Sequence, residues 1–178
     1  MNKLTLIKPN LSHFDEIAAM RDEILAYDEE QHINGSSGLQ SYDDITDWLN
    51  VLPLYEHRET VPNSNHVVSE QYLLVREGES RILGMIALRH YLNDALIEHG
   101  GHIGYSVRPN ERRKGYAKAM LSLCLEKAHE IGIDRVMLDC NVNNIASRRT
   151  ILACGGRFEQ KSKCDGFEQY WIDCTSTS

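Results

Sequence analysis

The sequence predicts a mixed α+β fold of the α/β class, with a twisted, mostly antiparallel sheet of about seven strands and four helices. Helical spacing gives way near Gln71 to apolar runs joined by short turns, which is typical of an antiparallel meander. A strongly amphipathic helix then leads into a buried apolar run, which indicates a parallel strand–helix–strand crossover. Two last strand-like runs close the chain around Cys164-Asp165-Gly166.

The N-terminal part predicts a strand, two helices and three strands, in that order. Ser12 is the expected N-cap of the first helix. A polar loop rich in glycine and serine follows at 28–38, and it is either a binding loop or a surface loop without structure. Gly100-Gly101 and Gly104 predict a bulge or a close backbone approach in the last strand of this group. The predicted elements cover residues 4–7, 12–27, 41–52, 72–75, 82–88 and 97–107.

The C-terminal part predicts a helix, a strand, a second helix and two strands. Gly132 is the expected C-cap of the first of these helices, because glycine readily adopts the left-handed conformation that ends a helix. Asn144 is the expected N-cap of the second. The predicted elements cover residues 117–131, 136–138, 144–154, 158–163 and 167–172.

The composition predicts one soluble domain over residues 1–178, since 42% of the residues are hydrophobic and 25% are charged. We expect no membrane span and no secretory signal, because the apolar runs are short and the first six residues lack an apolar core. The five cysteines contain no Cys-x-x-Cys pair, which disfavours disulfides and zinc and favours a cytoplasmic location. A net charge of −7 disfavours nucleic acid as a partner and weakly favours a cationic substrate.

The segment 107–117 carries the clearest functional signal. Three consecutive cations, at 112–114, precede Gly115 where the amphipathic helix should begin. The first N–H groups of a helix have no partner within it, and this end carries a partial positive charge. Such an end binds anions, and a glycine lets a ligand approach the backbone closely. The segment therefore predicts a pyrophosphate site, the alternative being a basic loop that only caps a helix.

The spacing Arg112-x-x-Gly115-x-Ala117 resembles the acyl-CoA signature of the GNAT acetyltransferase superfamily. A second segment, Asn144-Ile145-Ala146-Ser147 followed by a helix to Gly155-Gly156, is similar to the later motif of that family. The order of the predicted elements also matches the family's. The resemblance implies a sheet that splays open between the strands that flank the helix after the acyl-CoA loop.

The resemblance implies an N-acetyltransferase that moves an acetyl group from acetyl-CoA to a primary amine of a small molecule or peptide by direct attack in a ternary complex. It implies no metal, and by analogy a homodimer. A non-catalytic module that senses acyl-CoA is the alternative. The cofactor-binding residues implied are Val107, Arg112, Arg113, Lys114, Gly115, Tyr116, Ala117, Asn144 and Ser147.

The catalytic groups are the least determined part of the site. The tyrosine that many family members carry in the last helix corresponds to Ile151, and their glutamate before the acyl-CoA loop corresponds to Gly101. Titratable side chains nearby are His102, Glu98 and His99. A histidine suits a general base at neutral pH, so His102 and then Glu98 are the predicted catalytic residues, ahead of His99.

Overall fold

A computed structural model describes residues 2–176. Its strands are β1 (Leu4–Ile7), β2 (Ser69–Arg76), β3 (Gly84–Arg89), β4 (Ile103–Val107), β5 (Arg135–Asn141), β6 (Arg157–Lys161) and β7 (Phe167–Asp173). Its α-helices are α1 (Phe14–Tyr27), α2 (Ile45–Val51), α3 (Asp94–Glu98), α4 (Tyr116–Glu130) and α5 (Ile145–Ala153). Short 3-10 segments adjoin several of them. Among the described residues, no helix is long and apolar enough to cross a membrane.

The strands form two antiparallel sheets. The first has the order β1-β2-β3-β4, and the second has the order β5-β7-β6. The predicted meander and the predicted splay are therefore confirmed. The crossover from β4 through α4 to β5 is present, but in the described part of the chain these two strands form no parallel ladder. A bridge joins Gly101, just before β4, to Leu138 in the middle of β5.

The first sheet is covered on both faces, as the alternation of its side chains requires. In β2, Tyr72 and Leu74 pack into one cluster with residues of α4, β5 and β7. Leu73 and Val75 point to the opposite face and pack into a second cluster with α1 and α2. This two-sided burial fixes the register of the sheet and so the position of β4 at its edge.

The segment before β4 differs from the prediction. Residues 97–107 were expected to form one strand, but Asp94–Glu98 form a fifth helix, α3. The side chain of Asn93 caps this helix by accepting a hydrogen bond from the Leu96 N–H. Gly100 and Gly101 then adopt φ angles of +111° and +63° in a turn that leads into β4, so there is no bulge here, but the close backbone approach is confirmed at Gly101, where a Cβ would lie 2.3 Å from the Met137 carbonyl oxygen. The cap prediction at Ser12 is also wrong, because Asn10 caps a 3-10 turn that precedes α1.

Candidate active site

A cavity of ≈ 1050 Å³ lies where the two sheets part. It is lined by the loop after α1, the segment before β4, β4 itself, the turn before α4, and the segment that joins β5 to α5. Both sequence motifs therefore open onto the same space. The five residues of β4 span roughly 16 Å, which sets the length of the cavity between its two ends.

The turn before α4 lines this cavity with Arg112, Arg113 and Gly115, whereas Lys114 is not among the lining residues. Arg113 and Gly115 have φ angles of +64° and +83°, and both values lie in the left-handed region. The backbone conformation at position 115 therefore favours glycine. A Cβ added there would meet no atom within 4 Å. Within the described residues, the N–H groups of 113–115 bond to no protein atom, and the first turn of α4 adds further unpaired donors. Successive unpaired N–H groups in such a turn form an anion-binding concavity.

The cations of this turn have different roles. Arg112 donates from both terminal nitrogens to Asp28, at 2.9 Å and 2.9 Å, and from Nε to the Val107 carbonyl at 3.0 Å. Its hydrogen bonds with Asp28 raise its pKa. The Lys114 ammonium is paired with Glu111 at 2.9 Å. The Arg113 side chain is exposed and, among the described residues, has no such partner. Arg112 therefore ties the end of α1 to the turn, and its charge is already compensated.

Lys118, which the sequence analysis left out of the site, also lines the cavity. It directly follows Ala117, the last residue of the motif, on an exposed position of α4. Its place at i+3 from Gly115 on a helix could have identified it. Together with Arg113 it adds positive charge to the end of the cavity that holds the unpaired N–H groups.

The edge of β4 toward the cavity pairs with no strand among the described residues, although its Val107 carbonyl accepts from Arg112. The His102 carbonyl accepts from the Arg89 N–H, and the Arg108 N–H donates to Leu83, so the even-numbered residues of β4 bond to β3. Tyr105 and Val107 therefore direct their backbone groups away from β3. A linear amide chain can pair with such an edge as an added strand.

Asn144 and Ser147 face the same edge. The Asn144 side-chain oxygen accepts from the Ser147 N–H at 3.0 Å, which confirms the predicted cap and leaves the Asn144 amide nitrogen free for a ligand. The Ser147 hydroxyl lies 2.9 Å from the Tyr105 hydroxyl. Burial raises the pKa of Tyr105 to about 12, so Tyr105 is a protonated donor at neutral pH. Ile151, at the position of the family's tyrosine, is fully buried in the core.

The two predicted catalytic residues lie outside the lining of the cavity. His102 is 7% exposed, and its Nδ1 accepts from the Met137 N–H at 2.9 Å. Burial, aided by Arg89, lowers its pKa to about 4. The Glu98 carboxylate is exposed and pairs with Lys163 at 3.2 Å. Gly101 could not carry a side chain, since its Cβ would lie 2.3 Å from the Met137 carbonyl. Their catalytic role stays a prediction.

Comparison with known proteins identifies the family. The model of the acetyltransferase (GNAT) domain matches residues 3–157. The chain belongs to the GNAT acetyltransferase family. Comparison with curated protein sequences gives no significant match.

Solved structures share the fold of this GNAT acetyltransferase at low sequence identity. A ribosomal-protein-S5-alanine acetyltransferase from Vibrio fischeri has a TM-score of 0.72 and 16% identity, over 100% of this chain and 97% of that one. The microcin C7 self-immunity acetyltransferase MccE, in complex with acetyl-CoA and AMP, has a TM-score of 0.65 and 18% identity, over 97% and 93%. A spermidine N-acetyltransferase chimera from Vibrio cholerae and hSSAT has a TM-score of 0.62 and 17% identity, over 96% and 95%.

The residues present fit the acyl-CoA co-substrate of a GNAT acetyltransferase. The unpaired N–H groups at 113–117 suit a pyrophosphate, and the free edge of β4 suits the pantetheine amides. Among residues 2–176, no group of three or more His, Cys, Asp and Glu side chains is arranged to hold a metal ion.

Proposed function

We propose that this GNAT acetyltransferase moves an acetyl group from acetyl-CoA to a primary amine of a small molecule or peptide, by direct attack in a ternary complex. One observation carries the proposal. The turn at 113–117, with its unpaired N–H groups, opens onto the same cavity as the free edge of β4. A pyrophosphate at the turn and a pantetheine arm along the strand would place the thioester near the start of β4.

The proposed binding residues form two groups, one for the pyrophosphate and one for the pantetheine arm. The backbone of Arg113, Lys114, Gly115, Tyr116 and Ala117 would bind the pyrophosphate, with added charge from Arg113 and Lys118. Arg112 would act through its hydrogen bonds to Asp28 and to the Val107 carbonyl, which hold the turn against α1. The side-chain nitrogen of Asn144 would bind the pantetheine arm beside Tyr105.

Acetyl-CoA supplies an activated acyl group whose thioester carbonyl an amine can attack. The chain must position the amine, accept one of its protons and protonate the leaving thiolate. The Tyr105–Ser147 hydroxyl pair is the proton donor that we assign to the thiolate, because Tyr105 keeps its proton at neutral pH. Orientation in the cavity supplies a further part of the rate enhancement.

The acceptor would approach past the loop after α1. Asp28, Glu29 and Glu30 of this loop line the cavity, and Asp28 is compensated by Arg112. The charges of Glu29 and Glu30 favour an acceptor that enters as an ammonium ion. Two proteins of the same fold are named for such acceptors, spermidine in one case and an alanine of ribosomal protein S5 in the other.

The test combines binding with turnover. Acetyl-CoA at about 100 times its dissociation constant should raise the free energy of unfolding by about 2.7 kcal/mol, which a thermal scan measures. Release of free thiol is then followed with simple amines, polyamines and N-terminal peptides as acceptors. Binding together with thiol release and acetylated product supports the proposal. No thermal shift at millimolar acetyl-CoA would refute it, and binding without release on any acceptor would indicate an acyl-CoA sensor instead.

We further propose a cytoplasmic location and a homodimer. All five cysteines are free, as a reducing compartment requires. Light scattering at several protein concentrations tests the oligomeric state.

A further inference from the structure

A second polar group of residues lies in the same cavity, at the end opposite the turn at 113–117. His99 lies just before β4, and Asp139 lies in β5, where the two sheets begin to part. The imidazole Nδ1 of His99 is 2.6 Å from Oδ2 of Asp139. The Gly100 N–H donates to the same oxygen at 3.0 Å. Both side chains line the cavity.

The imidazole is held in one orientation. Because a carboxylate accepts at Nδ1, this nitrogen carries the proton and the lone pair is on Nε2. The ring also meets Phe167 edge-on, with centroids 4.5 Å apart at an interplanar angle of 67°. The His99 side chain is 46% exposed, and within the described residues no protein group bonds to its Nε2. His99 therefore presents a basic nitrogen to the cavity.

Asp139 is an unusual carboxylate for a β-strand. Its side chain is only 5% exposed, and both of its hydrogen bonds fall on Oδ2. The other oxygen, Oδ1, is buried and has no partner among the described residues. A buried carboxylate with spare acceptor capacity stabilises a positive charge on its neighbour. It would thus stabilise the imidazolium that forms when Nε2 takes a proton, as the acid of a catalytic triad does.

We propose that His99 is the general base of the acetyl transfer and that Asp139 is its positioning residue. This inference rests on the proposed function and deepens it. The acceptor enters as a primary ammonium, and Nε2 of His99 removes one proton. The freed nitrogen lone pair forms a bond to the thioester carbonyl carbon, and the C–S bond then breaks. Tyr105 protonates the departing thiolate and takes the second nitrogen proton in return, so the products are the amide, free CoA thiol and one proton on His99.

The chain contains a matched control for this pair. His90 and Glu70 form a second histidine–carboxylate contact, with Nε2 and Oε2 3.1 Å apart. Neither residue lines the large cavity. Removal of the His90 imidazole changes a similar histidine–carboxylate contact without reaching the reacting groups.

The experiment uses the full-length protein, acetyl-CoA and n-butylamine at high concentration as the probe acceptor, with thiol release measured at steady state. We compare the wild type with His99→Ala, His99→Gln, Asp139→Asn and His90→Gln. Loss of a general base should lower kcat about 100-fold or more in His99→Ala, with the KM for acetyl-CoA nearly unchanged. Added imidazole should restore part of this rate. His99→Gln keeps a hydrogen-bond donor for Asp139 but has no basic nitrogen. A low kcat in this variant, with its fold intact, therefore reports loss of the base.

Asp139→Asn should lower kcat without weakening acetyl-CoA binding, because the neutral amide lacks the negative charge that stabilises the imidazolium of His99. His90→Gln should keep the wild-type rate. If His99→Ala keeps the wild-type kcat, or imidazole restores nothing, the inference is wrong and the proposed function stands. If the wild type binds acetyl-CoA but acetylates neither butylamine nor any amine of the panel, both are overturned.

Discussion

At the scale of single residues, Gly115 and Gly132 occupy the two ends of α4 in the same backbone conformation. Their φ angles are +83° and +86°, and a Cβ added to either would meet no atom within 4 Å. A substitution at either position therefore carries similar backbone strain, about 1–2 kcal/mol. Only Gly115 lies in the cavity, so any difference between the two in ligand binding reports on the turn itself.

We predict that Gly115→Glu abolishes acetyl-CoA binding and that Gly132→Glu leaves it unchanged, although both lower stability by a similar amount. The glutamate at 115 would put a negative charge among the N–H groups that we propose bind the pyrophosphate. Titration calorimetry gives the affinity, and urea unfolding gives the stability. Retained affinity in Gly115→Glu would place the pyrophosphate elsewhere.

At the scale of elements, the loop after α1 packs directly on β4. A Cβ at Gly35 would lie 2.1 Å from the Gly104 carbonyl oxygen, whereas a Cβ at Gly38 would meet nothing. The loop is also held by hydrogen bonds from Ser106 to the Asn34 carbonyl, at 2.7 Å, and from Gln71 to the Gly35 carbonyl, at 2.8 Å. The loop is thus ordered and lines the cavity, so segment 28–38 is not a surface loop without structure, and its binding role stays a prediction.

We expect Gly35→Ala to destabilise the protein by several kcal/mol and Gly38→Ala by about 1 kcal/mol. Both substitutions remove a left-handed glycine from the same loop, but only the first forces backbone away from β4. Urea unfolding measures both. Equal losses would mean that the contact with Gly104 relaxes without cost.

His102 joins the two sheets where they part. It donates its N–H to the Met137 carbonyl at 2.8 Å, and its Nδ1 accepts the Met137 N–H at 2.9 Å. The second bond needs a neutral ring. Folding lowers the pKa of His102 from an ordinary value of 6.5 to about 4. The stability contribution is therefore complete above pH 6.5 and is lost as the pH falls toward 4, because the unfolded chain takes up the proton first.

We predict that the lowered pKa of His102 reduces the free energy of unfolding by about 2.5 kcal/mol between pH 7 and pH 4.5. His102→Asn offers a carbonyl oxygen in place of Nδ1 and does not titrate in this range. Urea unfolding at the two pH values should thus show a smaller loss in the variant than in the wild type. The same loss in both would assign the acid sensitivity to other groups.

At the scale of the whole molecule, sequence patterns predicted the features that residues near one another in the chain determine, such as helices and their caps. Periodicity located α4 and α5 within one or two residues, and the capping role of Asn144 is confirmed. The five residues of α3 are too few for a periodic signal. The pairing of Arg112 with Asp28 joins residues 84 positions apart. The His99–Asp139 contact joins residues 40 positions apart, so no local motif contains it.

Acetyl-CoA should act on the whole molecule as an extra strand between the two sheets. The N–H groups of Tyr105 and Val107 face the cavity, whereas those of Gly104 and Ser106 face β3. Amide hydrogen exchange, followed residue by residue by NMR, should therefore slow at 105 and 107 when acetyl-CoA binds. Exchange at 104 and 106 should change much less, and the amides of 113–117 should be protected together with 105 and 107. Uniform protection along β4 would indicate general stiffening of the sheet, and protection of the turn alone would show that the pantetheine arm does not pair with β4.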